Sequence, residues 1–184
     1  MEIAKKVNYY KIFKVALMAI IGTVLLTISA KIKIPFYPVP MTMQTFMVLL
    51  IGMTCGYKIG LMTVSLYLLE GIAGLPVFAG TPEKGIGFIY FTGPTMGYLF
   101  GFLFASFFAG YFKYNNIFSN FAKLIFSVSL IYIFGLLWLG ILIGWDKPIF
   151  TLGAKPFLLA ELFKISILTL LANKITKINY LKVI

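Results

Sequence analysis

Long uncharged runs broken by short lysine-bearing segments set the pattern of this chain. Val15–Ala30 carries no charge, and Ile12 and Phe13 extend it past Lys14, whose aliphatic stem can snorkel. A crossing of the bilayer needs ~20 predominantly apolar residues, so a chain of this length holds about six with short connections. The uncharged runs place those spans at residues 12–30, 42–57, 59–71, 93–112, 122–143 and 156–173. Pro35, Pro38 and Pro40 crowd the approach to the second span, so its helix should begin near Thr42. Glu70 ends the third. Gly and Pro cluster at 71–97, which reads as a long loop folding back toward the membrane. The pattern predicts an all-α membrane protein, a single integral domain over residues 1–184.

Composition agrees. Of 184 residues, 61% are hydrophobic and only 11% charged, against about 25% charged in soluble domains. So few charges would leave large apolar patches in water. The formal net charge of +11 comes from lysines set between apolar runs rather than gathered in one patch, so no nucleic-acid partner is expected. Counted by loop with the N-terminus inside, Lys5, Lys6, Lys11, Lys14, Lys58, Lys113, Lys123, Lys174, Lys177 and Lys182 fall on the inner side. Lys31, Lys33, Lys84, Lys147 and Lys155 fall outside, which orients both termini toward the cytoplasm. Lys5, Lys6, Lys11 and Lys14 also resemble the basic region of a signal peptide. The apolar run is at the long end for one and five spans follow, so an uncleaved first helix is the better reading.

The chain has no histidine and no arginine, which removes Ser-His and Cys-His nucleophile pairs, the usual zinc ligands and guanidinium clamps. Cys55 is alone. No Gly-Lys-Ser/Thr occurs, so this chain has no P-loop for ATP. Neither a catalytic residue, a metal nor a cofactor is expected.

Glu161 and Lys164 stand out inside the sixth span. A lone ion there costs at least ~2.5 kcal/mol, and such residues mark functional sites by default. Three positions apart, they share a helix face and can pair. They line either a ligand cavity or a packing contact. Gln44, one turn into the second span, can donate to and accept from a ligand, or bridge two helices. In the loop, Phe78, Glu83 and Tyr90 are candidate contacts, with Glu83 and Lys84 also readable as a solvated pair. Ala16, Ala19, Gly22 and Thr23 give the first helix a small-residue stripe suited to close approach by another helix, either from a partner or within the bundle.

Taken together, PVPMTMQTFMVLLIGM, LYLLEGIAGLPVFAG, FTGPTMGYLFGF and KPFLLAELFK, in this order, resemble the BioY family from about Ala16 to Asn173. BioY proteins are biotin-binding substrate subunits, or S components, of energy-coupling-factor (ECF) transporters. The resemblance implies six membrane helices with an outward-facing biotin pocket lidded by loops, in the bacterial cell (inner) membrane. It implies no enzymatic chemistry. It also implies a transmembrane coupling subunit and two ABC ATPase subunits as partners, with Ala16, Ala19, Gly22 and Thr23 near the coupling interface. The family's intramembrane acid and lysine match Glu161 and Lys164, where the family acid is usually aspartate. Gln44, Phe78, Tyr90 and Glu83 would complete the ligand contacts. An S component for another vitamin, an intramembrane enzyme using Glu161 or Glu70 as base, and a subunit without ligand are the competing readings.

Overall fold

The computed structural model describes residues 2–35 and 37–176; Lys177 and Lys182 of the expected inner set lie outside the described residues. Helix α1, Glu2–Lys31, opens the chain and ends in a two-residue strand β1, Lys33–Ile34. Strand β2, Met41–Thr42, pairs antiparallel with it, Lys33 opposite Thr42 and Ile34 opposite Met41. Helices α2 (Gln44–Cys55) and α3 (Tyr57–Ile72) follow, then a folded loop holding a 3-10 turn at Gly87–Thr92. Helices α4 (Met96–Tyr111) and α5 (Ile117–Ile143) come next. The described residues end with a short α6 (Ile149–Gly153), a 3-10 turn at Lys155–Phe157, and α7 (Leu158–Ile175).

Several boundaries differ from the spans read off hydropathy, each for a local reason. α1 starts well before residue 12, because Lys and Glu are good helix formers and extend an apolar helix beyond its buried part. α2 starts at Gln44 rather than Thr42 because Met41 and Thr42 are taken by the hairpin. α5 starts at Ile117, where Asn116 accepts a hydrogen bond from the Ser119 N–H at 2.8 Å and caps the helix. Pro156, which cannot donate to a preceding carbonyl, sits where α6 gives way to α7.

Among the described residues, Tyr9–Lys31, Ile117–Ile143 and Ile149–Ile175 are helical stretches long and apolar enough to cross a membrane. Gln44–Cys55 and Met96–Tyr111 are shorter apolar helices. α4 lies along α5 and against α2 and α3, making it the centre of the bundle. The approach is close: a Cβ on Gly101 would stand 2.6 Å from the Ile131 Cα. The elbow between α2 and α3 is Gly56, at φ +83°, a conformation open to glycine at no steric cost.

The face that α1 turns inward carries Val15, Ala19, Gly22, Thr23, Leu26, Ser29 and Ala30, spaced by three and four. Gly22 packs on the Thr63 side chain of α3, and the Thr23 hydroxyl donates to Glu70 Oε1 at 3.0 Å. The small-residue stripe therefore serves packing within the chain. Of the four positions expected at a coupling interface, Ala19, Gly22 and Thr23 are buried and only Ala16 is exposed.

The loop after α3 is no solvated tether. Phe78, Ala79, Thr81 and Tyr90 are all buried, so the segment plugs one end of the bundle. Two lysines hold it by its backbone. Lys31 Nζ donates to the Phe78 and Thr81 carbonyls at 2.9 and 3.1 Å, and Lys33 Nζ donates to the Ala79 carbonyl at 2.8 Å. Hairpin, loop and the start of α7 meet at this end of the bundle.

Candidate ligand-binding site

Three elements bring the site together. The hairpin ends at Thr42 and hands directly into α2, so Thr42, Gln44 and Thr45 occupy that helix's entrance. α7 brings Glu161 in its first turn and Lys164 one turn on, both 5% exposed. The loop and α4 close the remaining side with Ala79, Tyr90, Thr95 and Tyr98. Between them lies a cavity of about 50 Å³, partly open to the outside. Its lining is mostly apolar, with Leu99, Phe102, Ile131 and Phe157 beside the polar groups of Gln44, Thr45, Tyr132 and Glu161.

At the floor, Lys164 Nζ donates to Glu161 Oε1 at 2.8 Å, to the Thr45 hydroxyl at 3.0 Å and to the Thr42 carbonyl at 2.6 Å. An ammonium has three protons, so Lys164 is fully engaged. The Thr45 hydroxyl donates in turn to Glu161 Oε1 at 2.8 Å. Such a buried pair needs these extra bonds, because the loss of hydration otherwise outweighs the attraction of the two charges. Glu161 Oε2 is buried, and Tyr132 stands near enough to hydrogen-bond to the carboxylate as well as couple to it electrostatically. An acceptor oxygen with spare capacity thus sits beside a mostly apolar cavity. That is the arrangement to receive an N–H from an otherwise apolar small molecule.

A second chain of bonds ties the wall to the loop. Gln44 Nε2 donates to the Tyr67 hydroxyl at 2.8 Å, and Tyr67 donates to the Val77 carbonyl at 2.9 Å. The Tyr90 ring stacks on Phe78 at 4.8 Å, and its hydroxyl accepts from the Gly80 N–H at 3.3 Å. Burial disfavours the phenolate and pushes the Tyr90 pKa up, so the hydroxyl stays protonated and keeps a proton to give.

A profile of the BioY family matches residues 4–180. The chain belongs to the BioY family. It is 35% identical over 161 residues to the biotin transporter BioY of Thermotoga maritima, covering 86% of this chain and 94% of that protein. A probable biotin transporter BioY of Pyrococcus horikoshii is 32% identical over 151 residues, covering 82% of this chain and 89% of its own length. Among solved structures, the S-component for biotin from an ECF-type ABC transporter aligns with a TM-score of 0.67 at 25% identity. That alignment covers 96% of this chain and 93% of the other.

Of the residues singled out in this BioY sequence, Glu161, Gln44 and Tyr90 line one cavity, and Lys164 holds Glu161 from behind. Phe78 is displaced from its expected role. It is 1% exposed, lies outside the cavity lining and backs Tyr90 instead of facing a ligand. Glu83 is exposed on the loop and does not line the cavity either. Nor does it pair with Lys84, whose Nζ reaches the Pro38 carbonyl at 3.5 Å. Thr45, Tyr67 and Tyr132 escaped sequence reasoning. Thr45 lies next to Gln44, and a polar residue facing an intramembrane ion pair was the signal available for it.

Proposed function

We propose that this chain is the biotin-binding, substrate-specificity subunit of an ECF-type transporter. The observation that carries the reading is Glu161, whose buried carboxylate oxygens keep lone pairs to spare on the wall of a mostly apolar cavity. The ureido ring of biotin offers N–H donors to such an oxygen, while its thioether ring and aliphatic tail suit apolar walls. Gln44 offers its side-chain amide to the remaining ring polar groups, and Tyr90 lines the same cavity. Lys164 holds the carboxylate in place rather than gripping the ligand itself. The chain binds and releases, and does no covalent chemistry, in keeping with a family of transporters.

In this reading six segments cross the cell membrane with both termini in the cytoplasm, α6 and α7 together forming the last. Energy comes from two ABC ATPase subunits through a transmembrane coupling subunit. Ala16, with the exposed Leu17, Ile20 and Val24, is the part of α1 left to meet that subunit.

Calorimetric titration of the detergent-purified chain with biotin tests the site. Wild type should bind one biotin. Glu161→Gln, which keeps the shape and loses the charge, should weaken binding by about tenfold or more, the worth of a hydrogen bond to a charged group. No heat with biotin, or an unaffected variant, would overturn the assignment.

A further inference from the structure

A second cavity opens on the other side of Glu161. It is a groove of about 300 Å³ between α5 and the α6–α7 segment, walled by Ile133, Leu136, Phe150, Leu158 and Leu162. Tyr132 and Glu161 line this groove and the ligand cavity alike, so these two side chains are the partition between them. The walls face outward: Ile133 is 49% exposed and Leu158 42%. Both flanking segments are long and apolar enough to cross a bilayer. In that setting the groove looks into lipid.

Its length fits one leaflet. From Ile125 to Leu136 along α5, a rise of ~1.5 Å per residue gives about 16 Å. Half of a hydrocarbon core ~30 Å thick is much the same distance. At the end marked by Phe150 and Ala154, the next residue is the exposed Lys155, a cation at the level expected for phosphate. Water is a poor occupant, since the exposed surface of the groove is almost wholly apolar and a water needs several polar partners.

We propose that this groove holds one acyl chain of an outer-leaflet phospholipid, its phosphate against Lys155, and that the chain forms the far wall of the ligand site. The acyl chain keeps water from the partition. The low dielectric that results strengthens both the Glu161–Lys164 pair and any bond a ligand makes to Glu161. The effect on affinity rests on the membrane-spanning, biotin-binding reading above; occupancy of the groove is measured independently of biotin.

Native mass spectrometry with palmitoyl-oleoyl-phosphatidylglycerol reads the occupancy. Wild type should retain one lipid through detergent exchange. Ile133→Trp, which fills the groove, should lose it. Leu170→Trp, the same bulk at an exposed position of α7 outside the groove, should keep it. Biotin titration in lipid-depleted micelles reads the consequence. Adding this lipid should tighten wild-type binding about fivefold or more, an effect well above titration error, and leave Ile133→Trp unchanged. Leu158→Phe, which narrows the groove from the opposite wall, replaces Ile133→Trp should that variant fail to fold. Lipid retained equally by the filled variant, or wild-type affinity indifferent to lipid, would overturn the proposal. Retention without any biotin binding would overturn the functional reading and leave the lipid site standing.

Discussion

The Thr45 hydroxyl donates to Glu161 Oε1 at 2.8 Å and accepts from Lys164 at 3.0 Å. One side chain at the entrance of α2 thereby completes both halves of an ion pair carried by α7. The pair belongs to two helices rather than one, so its geometry reports on how they pack. Hydrogen bonds to ionised groups contribute about 1.5–3 kcal/mol each when buried.

Thr45→Val keeps the volume and removes the hydroxyl. It leaves one Lys164 proton and one lone pair of Glu161 unpaired, so biotin affinity should fall by about tenfold, one 1.4 kcal/mol step. Thr45→Ser, which restores the hydroxyl, should recover most of it. Calorimetry on the two variants separates the hydrogen bond from the loss of a methyl contact, and equal behaviour of Val and Ser would discount the role given to this residue.

Lys31→Gln and Lys33→Gln should loosen the plug without unfolding the bundle. Together the two lysines donate to three backbone carbonyls within Phe78–Thr81. Hydrogen exchange of amides in residues 77–85 should accelerate by about tenfold or more in the double variant, as local opening loses something over 1 kcal/mol. Amides of α4 and α5 should keep their wild-type protection. Uniform acceleration across the chain would mean the lysines stabilise the whole fold instead.

Gly101→Val should lower stability where α4 and α5 meet. Its Cβ would fall 2.6 Å from the Ile131 Cα and 3.1 Å from the Leu130 carbonyl oxygen, backbone atoms that cannot swing away. Overpacking of this kind costs about 1–3 kcal/mol. The thermal midpoint in detergent should drop by several degrees, roughly what such a loss produces in a domain of this size. A midpoint at the wild-type value would show that the helices separate freely at this level.

Hydropathy located the apolar helices because lipid and protein interior select the same residues, and it located Glu161 and Lys164 because they break that rule. It could not tell which face of α1 turns inward. Ala19, Gly22 and Thr23 suit packing against α3 as well as against a partner, and only Thr63 and Glu70 opposite them decide it. Nor could it separate a ring that lines a cavity from one that supports the lining. Phe78 and Tyr90 are both buried aromatics of one loop, and their order from the ligand outward is set by tertiary stacking. The hairpin at Lys33–Thr42 was invisible for a simpler reason. Two residue pairs are too few to leave any alternation in the sequence.

The grip of Lys31 and Lys33 on the loop has a consequence for how such a site can change. Both ammonium groups seize main-chain oxygens of Phe78, Ala79 and Thr81, atoms that every amino acid supplies. Only the Thr81 hydroxyl adds a side-chain contact, at 3.3 Å. Ala79, which lines the cavity, can therefore be exchanged for a larger or more polar residue while its tether stays in place. Anchorage and selectivity are written in different atoms of the same residue, which leaves a descendant of this chain free to alter the shape it admits without first learning to hold its door.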